Sequence, residues 1–245
     1  MTPAPRVPLG ARPDPSAEEM LRRAADFRSQ LSTRRTVREF SSRPVPRGVI
    51  EECLRAAGSA PSGANLQPWH FVAVSDPAVK AHIRAAAEAE EREFYTHRAP
   101  AEWLAALEPL GTDASKPFLD TAPWLIAVFA EKHGVDEQGR KLARYYSTES
   151  VGLATGILLT ALHHAGLVTL THTPSPMGFL RELLDRPPNE RPFLLVVAGH
   201  PAADATVPDI PRKELAEFAT FVEAPDPIET GPGRAPFGER NPRPH

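Results

Sequence analysis

Residues 47–77 read RGVIEECLRAAGSAPSGANLQPWHFVAVSDP, and this stretch decides the fold class. Ile50, Cys53, Leu54 and Ala57 recur at helical spacing, and Gly58 closes the helix they predict. SAPSGANLQP has the composition of a turn. WHFVAVS is short, apolar and rich in β-branched and aromatic residues, which predicts a strand. Asp76 before Pro77 marks a new helix start, because the carboxylate can accept from free N–H groups and proline has no N–H to waste there. That helix is expected to run to about Tyr95 or His97.

Working outward, WLIAVFA inside Pro123–Glu131 and FLLVVA inside Pro192–Gly199 predict two more strands, buried on both faces. Met20, Leu21, Ala24, Phe27 and Leu31 predict a helix over Ser16–Leu31. A further helix is expected from about Lys141 to His164, ended by Gly166 and followed by a short strand. Strands separated by helices imply an α+β or α/β domain around a central sheet. No linker interrupts residues 16–222, so one domain is expected there.

The ends differ. Five prolines fall in residues 1–15 and six in residues 225–245, of 28 in a chain of 245. Neither end has hydrophobic periodicity, so 1–15 and 223–245 read as proline-rich disordered arms. The opening has no apolar core of a signal peptide. Ser150–Leu180 carries no Asp, Glu, Lys or Arg and is long enough to span a bilayer. Three histidines, five threonines, Pro174 and Pro176 within it argue against a span. A helix buried on nearly every side, in a large core or a subunit interface, is the better expectation, with a cytoplasmic location and no membrane partner. A net charge of −3 provides no basic field for nucleic acid.

Several chemistries lack their signature. There is no G-x-G-x-x-G after a strand, no P-loop and no G-x-S-x-G. The nine histidines show no metal-ligand spacing, and one cysteine cannot build a thiolate site; no metal is expected. Arg34, Arg35, Arg38 and Arg43 form a dense cluster with Thr36 among them. It is either a solvated loop or a phosphate site, since guanidinium forks match phosphate oxygens. PSGAN, Pro61–Asn65, is either an ordinary turn or a place where backbone approaches a flat ligand.

R-R-T-V-R-E-F from Arg34, A-P-S-G-A-N-x-Q-P-W-x-F-V-x-V from Ala60, ESVGLATGILLTALHHAGLVTLTHTPSP from Glu149 and ATVPDIPRKEL from Ala205 together resemble the flavin-dependent nitroreductase superfamily. The likeness covers roughly residues 30–216. Within that superfamily the chain is most similar to the iodotyrosine deiodinase family and its bacterial members. EEREFY places Glu91 and Tyr95, KPFLDTAP places Lys116, and THTP places Thr173, on that family's substrate-binding Glu, Tyr and Lys and its flavin-facing threonine.

The resemblance implies a three-layer α+β fold, with a central mixed, mainly antiparallel sheet between helices, in an intertwined homodimer. It implies FMN as cofactor. Arg34, Arg35, Thr36 and Arg212 would hold the phosphate, with Thr36 where the family usually has serine. Arg38 would lie by N1 and O2, where a cation stabilises reduced flavin. Val37, Pro61, Ser62, Gly63, Thr171 and His172 would complete the shell, and Thr173 would face N5 as the catalytic contact. Residues 91–116, with Trp103, two prolines and Gly111, would form a lid. Glu91 would take the ammonium of a zwitterionic amino acid, Lys116 and Tyr95 its carboxylate, and the Ala64 N–H its phenolate oxygen. Glu91 and Tyr95 at i,i+4 share a helix face, which agrees. The expected reaction is reductive dehalogenation of a halotyrosine or related halophenol. The alternatives are a general NAD(P)H-dependent nitroreductase or quinone reductase, the flavin-destroying branch that also begins R-R-x-V-R-x-F, and a non-catalytic flavin-binding protein.

Overall fold

The computed structural model describes residues 4–222. Residues 4–16 contain no helix or strand, and the expected tail at 223–245 lies outside the described residues. The chain divides at Pro208 into a main unit and a short C-terminal one.

In the main unit, α1 (Ala17–Ser32) and α2 (Arg47–Gly58) precede β1 (Trp69–Val74). Then come α3 (Pro77–Glu93), α4 (Ala101–Leu107), α5 (Phe118–Thr121) and β2 (Trp124–Glu131). A small hairpin, β3 (His133–Val135) with β4 (Lys141–Ala143), leads to α6 (Ser147–His164). β5 (Val168–His172), α7 (Gly178–Leu183) and β6 (Glu190–Gly199) complete the unit. The C-terminal unit contains α8 (Leu215–Phe218), whose Glu214 and Glu217 side chains cap each other's backbone N–H groups.

The main sheet has the order β1-β2-β6-β5, with every ladder antiparallel. A parallel bridge from Thr36 to Thr169 adds the arginine-rich segment beside β5 and makes the sheet mixed. Alternation along β2 explains the three layers. Leu125, Ala127 and Phe129 face a core with Ile83 and Ala87 of α3, Phe118, Leu119 and Leu180. Trp124, Ile126, Val128 and Ala130 face the opposite core with α2 and with Val151, Leu158 and Leu162 of α6. Each large apolar side chain removed from water contributes about 1.5–3 kcal/mol, so β2, buried over seven of its eight residues, is the central support.

Asp76 caps α3 as expected, its Oδ1 accepting from the N–H groups of Ala78 and Val79 at 2.8 and 3.1 Å. The helix ends in a wide turn over Phe94–Arg98. The helix expected from Lys141 begins instead at Ser147. Asp136 accepts from the N–H groups of Gln138 and Arg140 at 3.0 and 2.7 Å, which closes the β3–β4 turn. Tyr146, at φ 52°, then breaks the chain before α6. Nor is α6 buried all round within one chain: Ser150, Val151, Ala154, Thr155, Leu158 and Leu162 face inward, whereas Leu153 is 52% exposed and Gly156 is exposed. Among the described residues no helix is long and apolar enough to cross a membrane.

Candidate active site

The site gathers where the arginine-rich segment meets the end of β5. The Val37 N–H donates to the Thr169 carbonyl at 3.1 Å, and Ser41 N–H to that of His200 at 2.9 Å, so residues 36–41 run along the sheet edge. Val37 is therefore a core residue with its N–H already used. Arg38, the next residue, reaches the cavity beside Thr171.

That cavity, of about 250 Å³, is lined by Arg38, Glu91, Tyr95, Lys116, Thr171, His172 and Thr173 among others. Seven residues singled out from the sequence thus converge from four separate segments. α3 supplies Glu91, and the wide turn after it supplies Tyr95. Lys116 arrives on the segment before α5, which is tied to α3 at several points. The Lys116 N–H donates to Glu88 Oε1 at 2.8 Å, and Arg84 bridges Glu88 and Asp120 at 2.8 and 2.6 Å. Buried Lys80 donates to the Asp120 and Ala122 carbonyls at 2.8 and 2.7 Å.

Lys116 Nζ lies 3.4 Å from Glu91 Oε2, both side chains nearly enclosed at 6% and 13% exposure. Nζ also donates to the Asp113 carbonyl and stands 5.6 Å from the Tyr95 ring centre. Burial raises the Glu91 pKa above its ordinary value, and Lys116 pulls it partly back. The Tyr95 hydroxyl pairs with Thr112 Oγ1 at 2.7 Å. His172 is 7% exposed and its Nδ1 is 4.0 Å from Glu91 Oε1. Burial, then Lys116 and Arg38, push the imidazole pKa down to about 3. It is a neutral ring. Arg38 is pulled below its ordinary value by burial, with Tyr95 acting against this.

The roof falls within residues 91–116, the stretch expected as a lid, of which only Trp103 stands out among the roof side chains in the sequence. Phe94, Trp103, Leu107 and Thr112 line the cavity from above and Phe118 and Leu170 from the side. Trp103 meets Phe94 edge-on at 5.0 Å, and Phe94 meets Tyr95 edge-on at 5.3 Å. The i,i+4 spacing of Trp103 and Leu107 in AEWLAAL was the available signal.

Pro61, Ser62, Gly63 and Ala64 do not line this cavity. Their turn is held elsewhere: Gly63 N–H donates to Ser150 Oγ at 3.3 Å, and Gln67 N–H to Ser62 Oγ at 3.0 Å. A Cβ on Gly63 would sit 2.7 Å from the Tyr145 carbonyl oxygen, so glycine is required there by the protein's own backbone. Ala64, Asn65 and Gln67 all have left-handed φ, at 51°, 55° and 46°. Three such non-glycine residues in one turn are costly, and such strain concentrates at ligand clamps. Arg34, Arg35 and Thr36 are partly exposed beside the sheet edge, where Arg35 donates to the Pro208 carbonyl. Arg212 lies in the C-terminal unit.

No metal-like cluster of His, Cys, Asp or Glu occurs among the described residues. Cys53 is buried, and burial raises its thiol pKa. A larger groove of about 480 Å³ between α7 and β6 has Glu190 already paired with Arg186 at 2.7 Å and gathers none of the residues above.

The model of the nitroreductase family matches residues 31–200. Over 207 residues the chain is 56% identical to an iodotyrosine deiodinase of Haliscomenobacter hydrossis, covering 84% of this chain and 92% of that one. It is 46% identical over 206 residues to iodotyrosine deiodinase 1 of Homo sapiens, covering 84% and 71%. A crystal structure of oxidised iodotyrosine deiodinase bound to FMN and 3-iodo-L-tyrosine superposes with a TM-score of 0.67 at 34% identity, over 80% of this chain and all of that one. An FMN-bound nitroreductase from Bacteroides fragilis shares the fold, with a TM-score of 0.60 at 20% identity over 81% and 99%. The chain belongs to the nitroreductase family and groups within it with the iodotyrosine deiodinases.

Proposed function

We propose that the protein is an FMN-dependent reductive dehalogenase of halotyrosines. One observation carries this reading: an enclosed Glu91–Lys116 pair with Tyr95 above it, in a cavity that also holds Arg38 and Thr173. A nitro compound or quinone has no use for two opposed buried charges, whereas a zwitterion matches both. At about 250 Å³ the cavity is below the usual range for drug-sized ligands and suits an amino acid with one ring.

The residues present fit a flavin. Thr171 and Thr173 are exposed beside half-buried Arg38, and the donors of Arg34, Arg35 and Thr36 lie on the same segment. Those three would hold the phosphate, and Arg38 would face the pyrimidine end of the ring, where negative charge develops on reduction. Bound reduced FMN would supply two electrons which, with one proton taken up at the ring carbon, replace the carbon–halogen bond by carbon–hydrogen and give tyrosine and halide. The protein's part is to bind, orient and exclude water. Glu91 would take the substrate ammonium and Lys116 the carboxylate. The Ala64 N–H lies outside this cavity within one chain and would reach the phenolate oxygen only across the homodimer proposed below. Phe94 and Trp103 would shield the ring from water.

A homodimer belongs to the same proposal. Leu153 and Gly156 on α6, and Met20, Leu21 and Phe27 on α1, leave apolar surface open that a second copy would cover.

The test is a titration of 3-iodo-L-tyrosine into FMN-loaded protein, read by flavin fluorescence, with Glu91→Gln and Lys116→Met alongside. Quenching that collapses in both variants, with iodide released once the flavin is reduced by dithionite, supports the reading. Bound FMN without quenching or iodide release would move the assignment to a general nitroreductase.

A further inference from the structure

We propose that His172 is a positioning residue that makes the site select zwitterionic amino acids, by catching the Glu91 carboxylate when substrate draws it away from Lys116. The inference rests on the halotyrosine reading and assigns the step that reading leaves open.

The clamp is closed on itself, with Lys116 Nζ 3.4 Å from Glu91 Oε2. A zwitterion must divide that pair. Its ammonium takes Glu91, its carboxylate takes Lys116, and one ion pair becomes two. During the exchange the enclosed Glu91 loses its cation and has little access to water. An enclosed carboxylate without a donor is strongly disfavoured. The other oxygen, Oε1, already faces His172 Nδ1 at 4.0 Å, just beyond hydrogen-bond reach.

The imidazole is built to be that donor. Its ring is fixed edge-on against buried Phe118, with centroids 5.8 Å apart and planes at 86°. Strand alternation turns His172 and Leu170 to the α3 side of β5, opposite to Thr171. Its charged neighbours are Glu91 from α3, Lys116 from the segment before α5 and Arg38 from the sheet edge. Burial first, and then the two cations, keep the ring neutral, with its pKa pushed down to about 3. A neutral ring has one N–H. Facing a carboxylate, that hydrogen belongs on Nδ1, which leaves Nε2 as a bare acceptor. Nε2 is buried and is the buried side-chain polar atom left without a hydrogen-bond partner among the described residues. Neutrality is the useful property. A cation here would cancel Glu91 and leave nothing to attract an ammonium, whereas a neutral donor steadies the carboxylate and preserves its charge.

The test uses FMN-loaded protein titrated with 3-iodo-L-tyrosine and with 2-iodophenol, which lacks both charged groups, read by flavin fluorescence. His172→Ala should weaken iodotyrosine about tenfold, the loss typical of one hydrogen bond to a charged group, and leave iodophenol within about twofold. His172→Asn places an amide N–H near Nδ1 and should recover most of the loss; His172→Gln places it near Nε2 and should not. In a Glu91→Gln background, His172→Ala should have no further effect. Equal weakening of both ligands, rescue by Gln rather than Asn, or a full effect without Glu91 would overturn the proposal. Where His172→Ala sheds FMN, the Asn and Gln variants decide. Wild-type protein that bound iodophenol as well as iodotyrosine would instead refute the zwitterion clamp itself, so the two failures are distinct.

Discussion

Replacing Lys116 by Met should make stability depend on pH with a sign that identifies the Glu91 charge as the cause. The methionine fills much of the lysine volume, so the main loss is the cation 3.4 Å from Glu91. Removing one partner of a buried pair costs about 3–5 kcal/mol. The lower end applies here, because Glu91 is 13% exposed and can escape by taking a proton. Burial already raises its pKa, and loss of Lys116 raises it further. An acid whose pKa is higher folded than unfolded holds a proton in the native state that the unfolded chain releases. Stability then falls as pH rises through the window between the two values, by at most about 1.4 kcal/mol per unit. The deficit against wild type should therefore be about 3 kcal/mol at pH 8 and much smaller at pH 5. Urea unfolding at fixed protein and FMN concentration measures it, and Glu91→Gln combined with Lys116→Met should recover most of the loss at pH 8. A deficit equal at both pH values, or a double variant no more stable than the single one, would refute the reasoning: the lysine would then matter for its packing and not for Glu91.

The opposite slope is expected from His172. Its folded pKa of about 3 lies below the ordinary 6.5, so the unfolded chain binds the extra proton and stability drops as pH falls from 6.5 toward 3. Lowering pH from 6.5 to 5 should cost about 2 kcal/mol through this group, and His172→Asn should flatten that part of a urea-midpoint profile. Gly63→Ala forces a Cβ within 2.7 Å of the Tyr145 carbonyl oxygen and should cost about 1–3 kcal/mol and weaken FMN binding, measured by unfolding and by flavin retention. Leu153→Glu puts a charge on the open face of α6 and should shift the protein toward monomer in sedimentation velocity. An unchanged sedimentation coefficient would remove α6 from the proposed dimer interface.

The elements that a sequence reading recovers here are those whose signal is local. Asp76-Pro77 announces α3 because capping chemistry acts within four residues, and the apolar run of β2 announces burial on both faces. The hairpin of β3 and β4 escapes because each strand has three residues and its turn is closed by one side chain, Asp136, which composition does not distinguish from a surface acid. The i,i+4 pair Glu91 and Tyr95 can be placed on one face from spacing alone. That Lys116 stands opposite cannot, because it depends on Arg84, Glu88 and Lys80 docking the α5 segment against α3. Gly63 was legible as a close approach, but to the Tyr145 carbonyl across the fold. His172 is the instructive case. It lines one cavity with Thr171 and Thr173, beside which the flavin edge is expected, while its side chain turns with Leu170 toward α3 and the clamp, which spacing alone does not reveal.

The closed clamp has a consequence for selectivity that charge counting alone reverses. A ligand with one charge might be expected to bind between a neutral phenol and a zwitterion. The enclosed Glu91–Lys116 pair argues otherwise. A neutral halophenol leaves the pair intact and forfeits only the new contacts. A halotyramine, bearing ammonium alone, must take Glu91 and strand Lys116, which is 5% exposed and would keep the Asp113 carbonyl and the Tyr95 ring but no anion. A halogenated phenylpropionate must take Lys116 and strand Glu91, though Glu91 can recover in part by protonation. Stranding one partner of a buried pair costs more than one new pair returns. The expected order of affinity is therefore iodotyrosine first, 2-iodophenol second, then the phenylpropionate, with the tyramine last. The phenylpropionate alone should improve as pH falls, measured relative to iodophenol so that phenol ionisation cancels. A tyramine that bound better than iodophenol would mean that Glu91 and Lys116 act as independent charges, open to water before the ligand arrives.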